Sequence, residues 1–154
     1  MSRVRTGTWS YDVDVHAADA TPAAAMALLS DITRQGELHP LITKVEELPP
    51  IEGALRSYAI TDSLRLGPVP FRITYRADTL SVSDTEVVTV ARQRPRTTIR
   101  NRTTVTPTSG GVHVHVDVEL TAPSLLFRYA YREGHKAHLE LAERIRSVLQ
   151  ASQG

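Results

Sequence analysis

The 154-residue chain contains no cysteine. Disulfides, thiolate zinc sites, iron–sulfur clusters and cysteine nucleophiles are therefore excluded. The chain also lacks an excess of either charge, because it has 18 Lys and Arg residues and 17 Asp and Glu residues. A net charge of +1 gives no electrostatic reason to expect a nucleic acid or an anionic membrane as partner. The composition, 41% hydrophobic and 23% charged, is typical of a folded globular chain.

Long apolar segments and glycine-rich motifs are missing too. The longest uncharged stretch near a helix, residues 20–30, is far shorter than the ~20 residues of a membrane span. No apolar run follows Arg3 and Arg5, so we expect no signal peptide and a cytoplasmic protein without a stable membrane anchor. The glycines fit neither G-x-G-x-x-G nor a phosphate-binding loop, and no G-x-S-x-G elbow is present. We therefore predict no cofactor.

Hydrophobic periodicity predicts one strand, two short helices, six more strands and a long helix. The residues from Trp9 to His16 alternate apolar and polar, which is the period of a half-buried strand. Thr21 followed by Pro22 is typical of a helix start, and Pro40 indicates the end of a second short helix. Turn residues between the later apolar segments indicate an antiparallel meander. The predicted elements are strand 9–16, helices 23–29 and 34–38, strands 43–48, 55–64, 71–82, 85–92, 97–106 and 112–121, and helix 123–150.

The last helix determines the predicted architecture. Its apolar residues step by four and three positions, which gives one apolar stripe along a rod of ~40 Å. Because each strand also has one apolar face, we predict an α+β fold with residues 1–154 as a single domain. In this fold a curved seven-stranded antiparallel sheet wraps around the long C-terminal helix, with two short helices after the first strand. A curved sheet and one helix seldom meet along their whole contact, so a cavity is expected between them, near one end of the helix. The stripe residues are Phe127, Tyr131, Gly134, His138, Leu141, Ile145 and Val148.

Three segments resemble the START/helix-grip superfamily, which includes the birch-pollen-allergen fold and SRPBCC-type polyketide cyclase/dehydrase and lipid-transport proteins. They are residues 25–32 with the following 39–42, residues 94–96 with 103–107 and 110–111, and residues 120–123 before the long helix. The resemblance spans nearly the whole chain. It implies a helix-grip protein that binds or transports a small hydrophobic, lipid- or polyketide-like ligand between sheet and helix. A polyketide aromatase/cyclase-type enzyme acting in the same cavity and a module that works through its surface remain alternatives, and the oligomeric state stays open.

Inward strand faces and the helix stripe define the predicted ligand contacts. Asn101 and Thr103 share a face with Ile99, so a polar pair is expected inside an otherwise apolar pocket. Gly134, next to His138 on the stripe, is compatible with three uses: close packing of a strand, a bend in the helix, or space for a ligand. The predicted ligand-binding residues are Tyr58, Ile60, Phe71, Ile73, Tyr75, Val88, Val90, Ile99, Asn101, Thr103, Phe127, Tyr131 and His138.

A filled core, in which His138 bonds a strand hydroxyl, is the alternative to a ligand cavity. No catalytic residue is predicted, because no carboxylate adjacent in sequence completes an acid–base pair. If the chain is an enzyme, Tyr131 and His138 are the first candidates.

His113, His115 and Asp117 are spaced two residues apart on a predicted strand and therefore share one face. A His-x-His pair on a strand can chelate zinc, with a carboxylate such as Asp117 or Glu119 joining it. The alternating valines of the same strand, however, predict that the opposite face is the buried one. The expected neighbours of the two histidines are Arg100 and Arg102 on the preceding strand. Since positive charge repels a cation, we predict a polar solvent-facing surface with no metal site.

Seven arginines are predicted to point away from the apolar side of the sheet. Few exposed aromatic residues are interleaved with them, which disfavours an RNA-binding surface. Acidic residues on the strands are available to pair with them, so a salt-bridged outer face is the preferred interpretation. The arginines are Arg72, Arg76, Arg92, Arg94, Arg96, Arg100 and Arg102, and the acidic residues are Asp62, Asp78, Glu86, Asp117 and Glu119.

Overall fold

The computed structural model describes residues 3–17 and 20–151, and its elements follow the predicted order. Neighbouring strands are antiparallel, in the sheet order β1-β7-β6-β5-β4-β3-β2. The predicted α+β helix-grip fold, a seven-stranded sheet with a long C-terminal helix, is confirmed. The elements are β1 Val4–His16, α1 Pro22–Leu29, α2 Ile32–Leu38, β2 Ile42–Leu48, β3 Arg56–Leu66, β4 Val69–Val82, β5 Glu86–Gln93, β6 Thr97–Thr108, β7 Gly111–Pro123 and α3 Ser124–Ala151.

The two short helices begin at side-chain caps. Thr21 accepts a hydrogen bond from the backbone N–H of Ala24 at 3.2 Å, and Pro22 occupies the first turn of α1. Asp31 accepts from the backbone N–H of Arg34 in the same way, so α2 begins at Ile32 and not at the predicted residue 34. An aspartate at this position is an N-cap signal, because its carboxylate satisfies an N–H that lacks a helical partner.

Strand β1 lies at the edge of the sheet beside the last strand. Its register runs from Val4 opposite Pro123 to His16 opposite Gly111. Strands β2 to β7 form the predicted meander, whereas the partner of β1 is far away in sequence. Consequently the buried face of β1 continues the buried face of β7, and the polar face of β1 continues the polar face of β7.

Among the described residues, most of the buried apolar side chains form two clusters. The larger one joins α1 and α3 to the apolar faces of β1 and β7. The smaller one, Tyr58, Ile60 and Ala77, lies under α2 and β2. Within the described residues, no helix has the length and apolarity that crossing a membrane requires.

The outer face of the sheet carries a buried carboxylate. Asp78 is fully buried and accepts hydrogen bonds from Ser57 Oγ at 2.6 Å, Arg76 Nε at 3.1 Å and Arg92 Nη1 at 3.1 Å. Arg102 Nε lies 3.9 Å from a Glu86 carboxylate oxygen. These contacts are of the salt-bridged kind that was predicted for this face.

Candidate functional site

A cavity of about 170 Å³ lies between the inner face of the sheet, α2 and the middle of α3, and not near one end of that helix as predicted. Side chains from both core clusters form its walls, so the cavity occupies the gap where the two clusters do not meet. Aliphatic side chains make up much of the lining. The polar lining residues are Tyr11, Gln35, His39, Asp62, Tyr75, Thr89, Asn101, Thr103 and His138.

Six of the predicted ligand contacts lie together on this cavity, and seven lie elsewhere. On β6, Ile99, Asn101 and Thr103 share the cavity face as the alternation suggested. The six lining residues are Ile60, Tyr75, Ile99, Asn101, Thr103 and His138. The other seven are Tyr58, Phe71, Ile73, Val88, Val90, Phe127 and Tyr131.

On β5 the structure turns the opposite face inward from the one predicted. Ala91 pairs with Ala77 on β4 and Ile99 on β6, and it lines the cavity together with Val87 and Thr89. Val88 and Val90 therefore lie on the other face, where they are 4% and 3% exposed. Because Val87 on one face and Val88 and Val90 on the other are all buried, the sequence pattern of β5 does not distinguish its two faces.

The remaining predicted contacts pack outside the cavity. Tyr58 belongs to the smaller core cluster. Phe71 and Ile73 share a face with Tyr75 but lie nearer the turn at Gly67. The ring of Phe127 packs against Gly7, and a Cβ added at Gly7 would lie 2.6 Å from it.

Tyr131 is engaged with β1 instead of with the cavity. Its hydroxyl donates a hydrogen bond to the Thr8 carbonyl oxygen at 3.0 Å. Its ring makes an edge contact with Trp9, with ring centroids 4.8 Å apart. The hydroxyl that sequence reasoning offered as a catalytic candidate thus already has a partner.

His138 is the most unusual group in the cavity wall. Its ring packs beside Trp9, Tyr11 and His39, with centroid distances of 5.5, 5.7 and 6.1 Å. Burial, together with the positive charge that His39 and His135 can carry, lowers the pKa of His138 from 6.5 to about 3. The imidazole is therefore neutral at neutral pH. Its Nδ1 atom is buried and has no hydrogen-bond partner among the described residues.

His39 contributes a second neutral imidazole. Burial and, to a smaller extent, the charge of Arg144 lower the pKa of His39 to about 4. Its Nδ1 accepts a hydrogen bond from the backbone N–H of Leu41 at 3.2 Å, which a protonated nitrogen could not do. Both histidines of the cavity wall are therefore uncharged.

Asp62, which is buried, and Tyr75, which is half-buried, form a hydrogen-bonded pair on the opposite wall. The Tyr75 hydroxyl donates to Asp62 Oδ1 at 3.2 Å. Burial raises the pKa of Asp62 to about 6, although this hydrogen bond lowers it. The prediction that Asp62 joins the outer salt bridges is wrong, because Asp62 is 8% exposed and faces inward. Sequence reasoning missed it as a site residue, although it follows Tyr58 and Ile60 in the period-two pattern of β3.

Gly134 serves close packing of α3 on β1. A Cβ added at Gly134 would lie 3.3 Å from Cη2 of Trp9, which is tighter than an ordinary contact. Of the three predicted uses of this glycine, the structure shows the close approach of a strand side chain, and Gly134 is also one of the residues that line the cavity. Trp9 was also missed as a neighbour of the cavity, although it begins the apolar alternation of β1.

No protein-family model matches the sequence, and no curated protein matches it. Solved structures do match its fold. The di-domain aromatase/cyclase StfQ of the steffimycin biosynthetic pathway is 12% identical with a TM-score of 0.74, and the match covers 96% of this chain and 51% of that one. The chain thus spans about half of that di-domain protein.

Two further matches extend over whole chains. A point mutant of Thalictrum flavum norcoclaurine synthase, in complex with a transition-state analogue, is 13% identical with a TM-score of 0.68, covering 100% of both chains. Ara h 8.0201 is 12% identical with a TM-score of 0.64, covering 97% of this chain and 99% of that one. The resemblance to helix-grip proteins is thereby confirmed. At sequence identities of 12–13%, this similarity shows the fold alone.

Proposed function

We propose that this protein binds a small, mainly apolar organic molecule in the cavity between the sheet and α3. A dry apolar cavity of ~150 Å³ holds a benzene molecule. A cavity of about 170 Å³ therefore has room for one ring or a short chain. A full-length lipid or a polyketide would require the walls to move apart. The structural neighbours support the proposal, because one of them was solved with a bound transition-state analogue.

The composition of the lining carries the proposal, because a largely aliphatic cavity contains the neutral His138 in its wall. The Nδ1 atom of His138 is covered in this structure and has no hydrogen-bond partner among the described residues, which costs about 1–3 kcal/mol. A ligand hydroxyl or carbonyl group that meets this atom when the ring turns towards the cavity removes that cost. Apolar burial alone is modest, since about 200 Å² at about 25 cal/mol per Å² gives about 5 kcal/mol before the cost of immobilisation. We therefore expect the ligand to combine an apolar body with one polar group directed at His138.

Cavity filling tests the site with a matched pair of variants. Ala91→Leu places a larger side chain on the cavity wall, and Ala59→Leu makes the same change on the outer face of β3. We expect p-cresol, a single-ring phenol, to shift cavity amide resonances of the wild type in NMR titrations. Ala91→Leu should weaken binding at least tenfold, and Ala59→Leu should not. Equal affinities in the two variants would place the probe outside the cavity.

A second comparison tests the polar contact. His138→Phe removes the ring nitrogen and keeps an aromatic side chain at the site. We expect the variant to lose affinity for p-cresol but to retain its affinity for toluene, which has no hydroxyl. Parallel losses for both probes would mean that His138 shapes the cavity without bonding the ligand. Native mass spectrometry of the purified protein would reveal a natural ligand that survives purification.

An aromatase/cyclase-type activity is the second candidate, and the Asp62–Tyr75 pair favours it. Asp62, with a pKa raised to about 6, faces a cavity that also holds the neutral His138, and such separated acid–base groups are typical of proton-transfer sites. Turnover of a model poly-β-ketone substrate, lost in Asp62→Asn, would support this activity. Tyr131→Phe should retain turnover, because the Tyr131 hydroxyl bonds Thr8 outside the cavity.

A further inference from the structure

The outer face of β1 and β7 carries five alternating carboxylate and imidazole side chains. In spatial order they are Asp14, His113, Asp12, His115 and Asp117. The four successive nitrogen–oxygen distances are 2.6, 2.9, 2.7 and 3.0 Å. Both ring nitrogens of each histidine therefore lie at hydrogen-bond distance from a carboxylate oxygen, and Asp12 stands between the two rings.

The pairing of β1 with β7 produces this arrangement. Asp12 lies opposite His115, and Asp14 lies opposite His113. The expectation that arginines flank the histidines does not hold. On the β6 side the histidines face threonines, whereas Arg102 lies opposite Asp117 and Arg100 opposite Glu119. The charges nearest the two rings are thus negative, which reverses the argument against a cation.

We propose that Asp12, His113 and His115 form a binding site for a late first-row divalent cation, for which Zn²⁺ serves as the probe. Their ligand atoms all lie within 4.8 Å of one another. Zn–N and Zn–O bonds of about 2.0–2.2 Å in tetrahedral geometry put ligand atoms about 3.4 Å apart. The Asp12 oxygen is 2.9 and 2.7 Å from the two nitrogens, so small side-chain rotations open the site to the metal.

The other nitrogens of the two rings provide an independent observation. A histidine that ligates a metal almost always donates its remaining N–H to a carboxylate or a carbonyl, which fixes the ring and increases its basicity. His113 Nδ1 lies 2.6 Å from Asp14, and His115 Nε2 lies 3.0 Å from Asp117. Each ring of the proposed site is therefore oriented by its own carboxylate, on strands whose backbones are held in a sheet.

Solvent access and ligand type select the metal. The side chains of His113, His115 and Asp12 are 34, 39 and 48% exposed, so water can complete the coordination shell. Two imidazoles favour Zn²⁺, Ni²⁺ or Cu²⁺ over Mg²⁺ and Ca²⁺, which prefer oxygen ligands. The site lies on the opposite face of the sheet from the cavity, and its test is independent of ligand binding there.

Calorimetric titration of the tag-free protein with ZnCl₂ at pH 7.5 tests the proposal. We expect one Zn²⁺ per chain with a Kd in the micromolar range and no heat from MgCl₂. Asp12→Asn and His113→Gln should each weaken binding at least tenfold, and Asp14→Asn should weaken it through His113. His16→Gln, at an exposed histidine of the same strand, is the matched control and should bind like the wild type. The proposal is overturned if the wild type binds no Zn²⁺, if Mg²⁺ binds equally, or if binding survives in both ligand variants.

A measurement on the wild type removes any dependence on the folding of variants. Substoichiometric Zn²⁺ should shift or broaden the imidazole resonances of His113 and His115 before those of the other histidines. If the imidazole resonances of His16 or His135 shift first when Zn²⁺ is added, the metal binds elsewhere and the proposed site is refuted.

Discussion

Replacing His138 by phenylalanine is expected to reduce the loss of stability that acid causes. The folded state holds the pKa of His138 at about 3, chiefly through burial, whereas the ordinary histidine value is 6.5. The unfolded chain therefore binds a proton that the folded chain excludes. The stability that this group contributes is present above pH 6.5 and is lost as the pH falls from there towards 3.

The loss of folding stability that His138 causes between pH 7 and pH 5 follows from the unfolded state alone. At pH 5 the folded His138 is still neutral, so the loss is set by protonation of the unfolded imidazole and amounts to about 2 kcal/mol. His39, with its pKa lowered to about 4, adds a loss of the same sign. Asp62, with its pKa raised to about 6, opposes both, because its folded state takes up a proton as the pH falls. The total pH dependence mixes these groups, and only a difference between proteins isolates His138.

The assay is urea unfolding of the wild type and of His138→Phe at pH 7 and at pH 5. We expect the free energy of unfolding of the variant, relative to the wild type, to rise by about 2 kcal/mol between the two pH values. Any packing change that phenylalanine introduces is present at both pH values, so it cancels from the difference between them. His16→Phe, at an exposed position, is the matched control for the loss of a histidine. A difference that stays constant within about 0.5 kcal/mol would show that the folded protein admits the proton, and the argument from burial would fail.

Three further changes test other parts of the structure. Gly111→Ala should destabilise the fold by about 2 kcal/mol or more in thermal unfolding, because the added Cβ would collide with the backbone carbonyl oxygen of Val15. The matched variant Gly110→Ala places its Cβ where no atom lies within 4 Å and should be neutral. Asp78→Ala should cost about 3 kcal/mol in urea unfolding, since two arginines and a serine lose a buried acceptor, and a loss below 1 kcal/mol would contradict this. Tyr75→Phe should raise the pKa of Asp62 above about 6, because it removes the hydrogen bond that lowers it, and carboxyl NMR titration would reveal an opposite shift.

The fold was predictable because its signals are local. The alternation that begins at Trp9, the Thr21–Pro22 cap and the apolar stripe of α3 each depend on neighbours a few residues away. Such patterns fix which face of an element is buried. They succeeded where one face is apolar and the other polar, as on β7, and failed on β5, where Val88 and Val90 are buried on the face away from the cavity.

The candidate site was predictable only in part, because its chemistry depends on burial and on partners. Asp62 reads as a surface carboxylate in the sequence, and only the closure of β3 against the helices makes it a buried acid with a raised pKa. His138 was identifiable from its place on the helix stripe. That its Nδ1 lacks a partner depends on which side chains surround it, and these come from β1 and from His39, far away in sequence.

The position of β1 connects the two candidate sites. Its inward residues Trp9 and Tyr11 pack against His138, and its outward residue Asp12 stands between His113 and His115. Because side chains alternate along a strand, a register shift of one residue would exchange the two sets and bury the carboxylates. The apolar contacts of the inner face therefore also hold the acidic residues of the outer face in place. A substitution that loosens β1 from β7 should disturb the cavity and the proposed metal site together, although the two lie on opposite faces of the sheet.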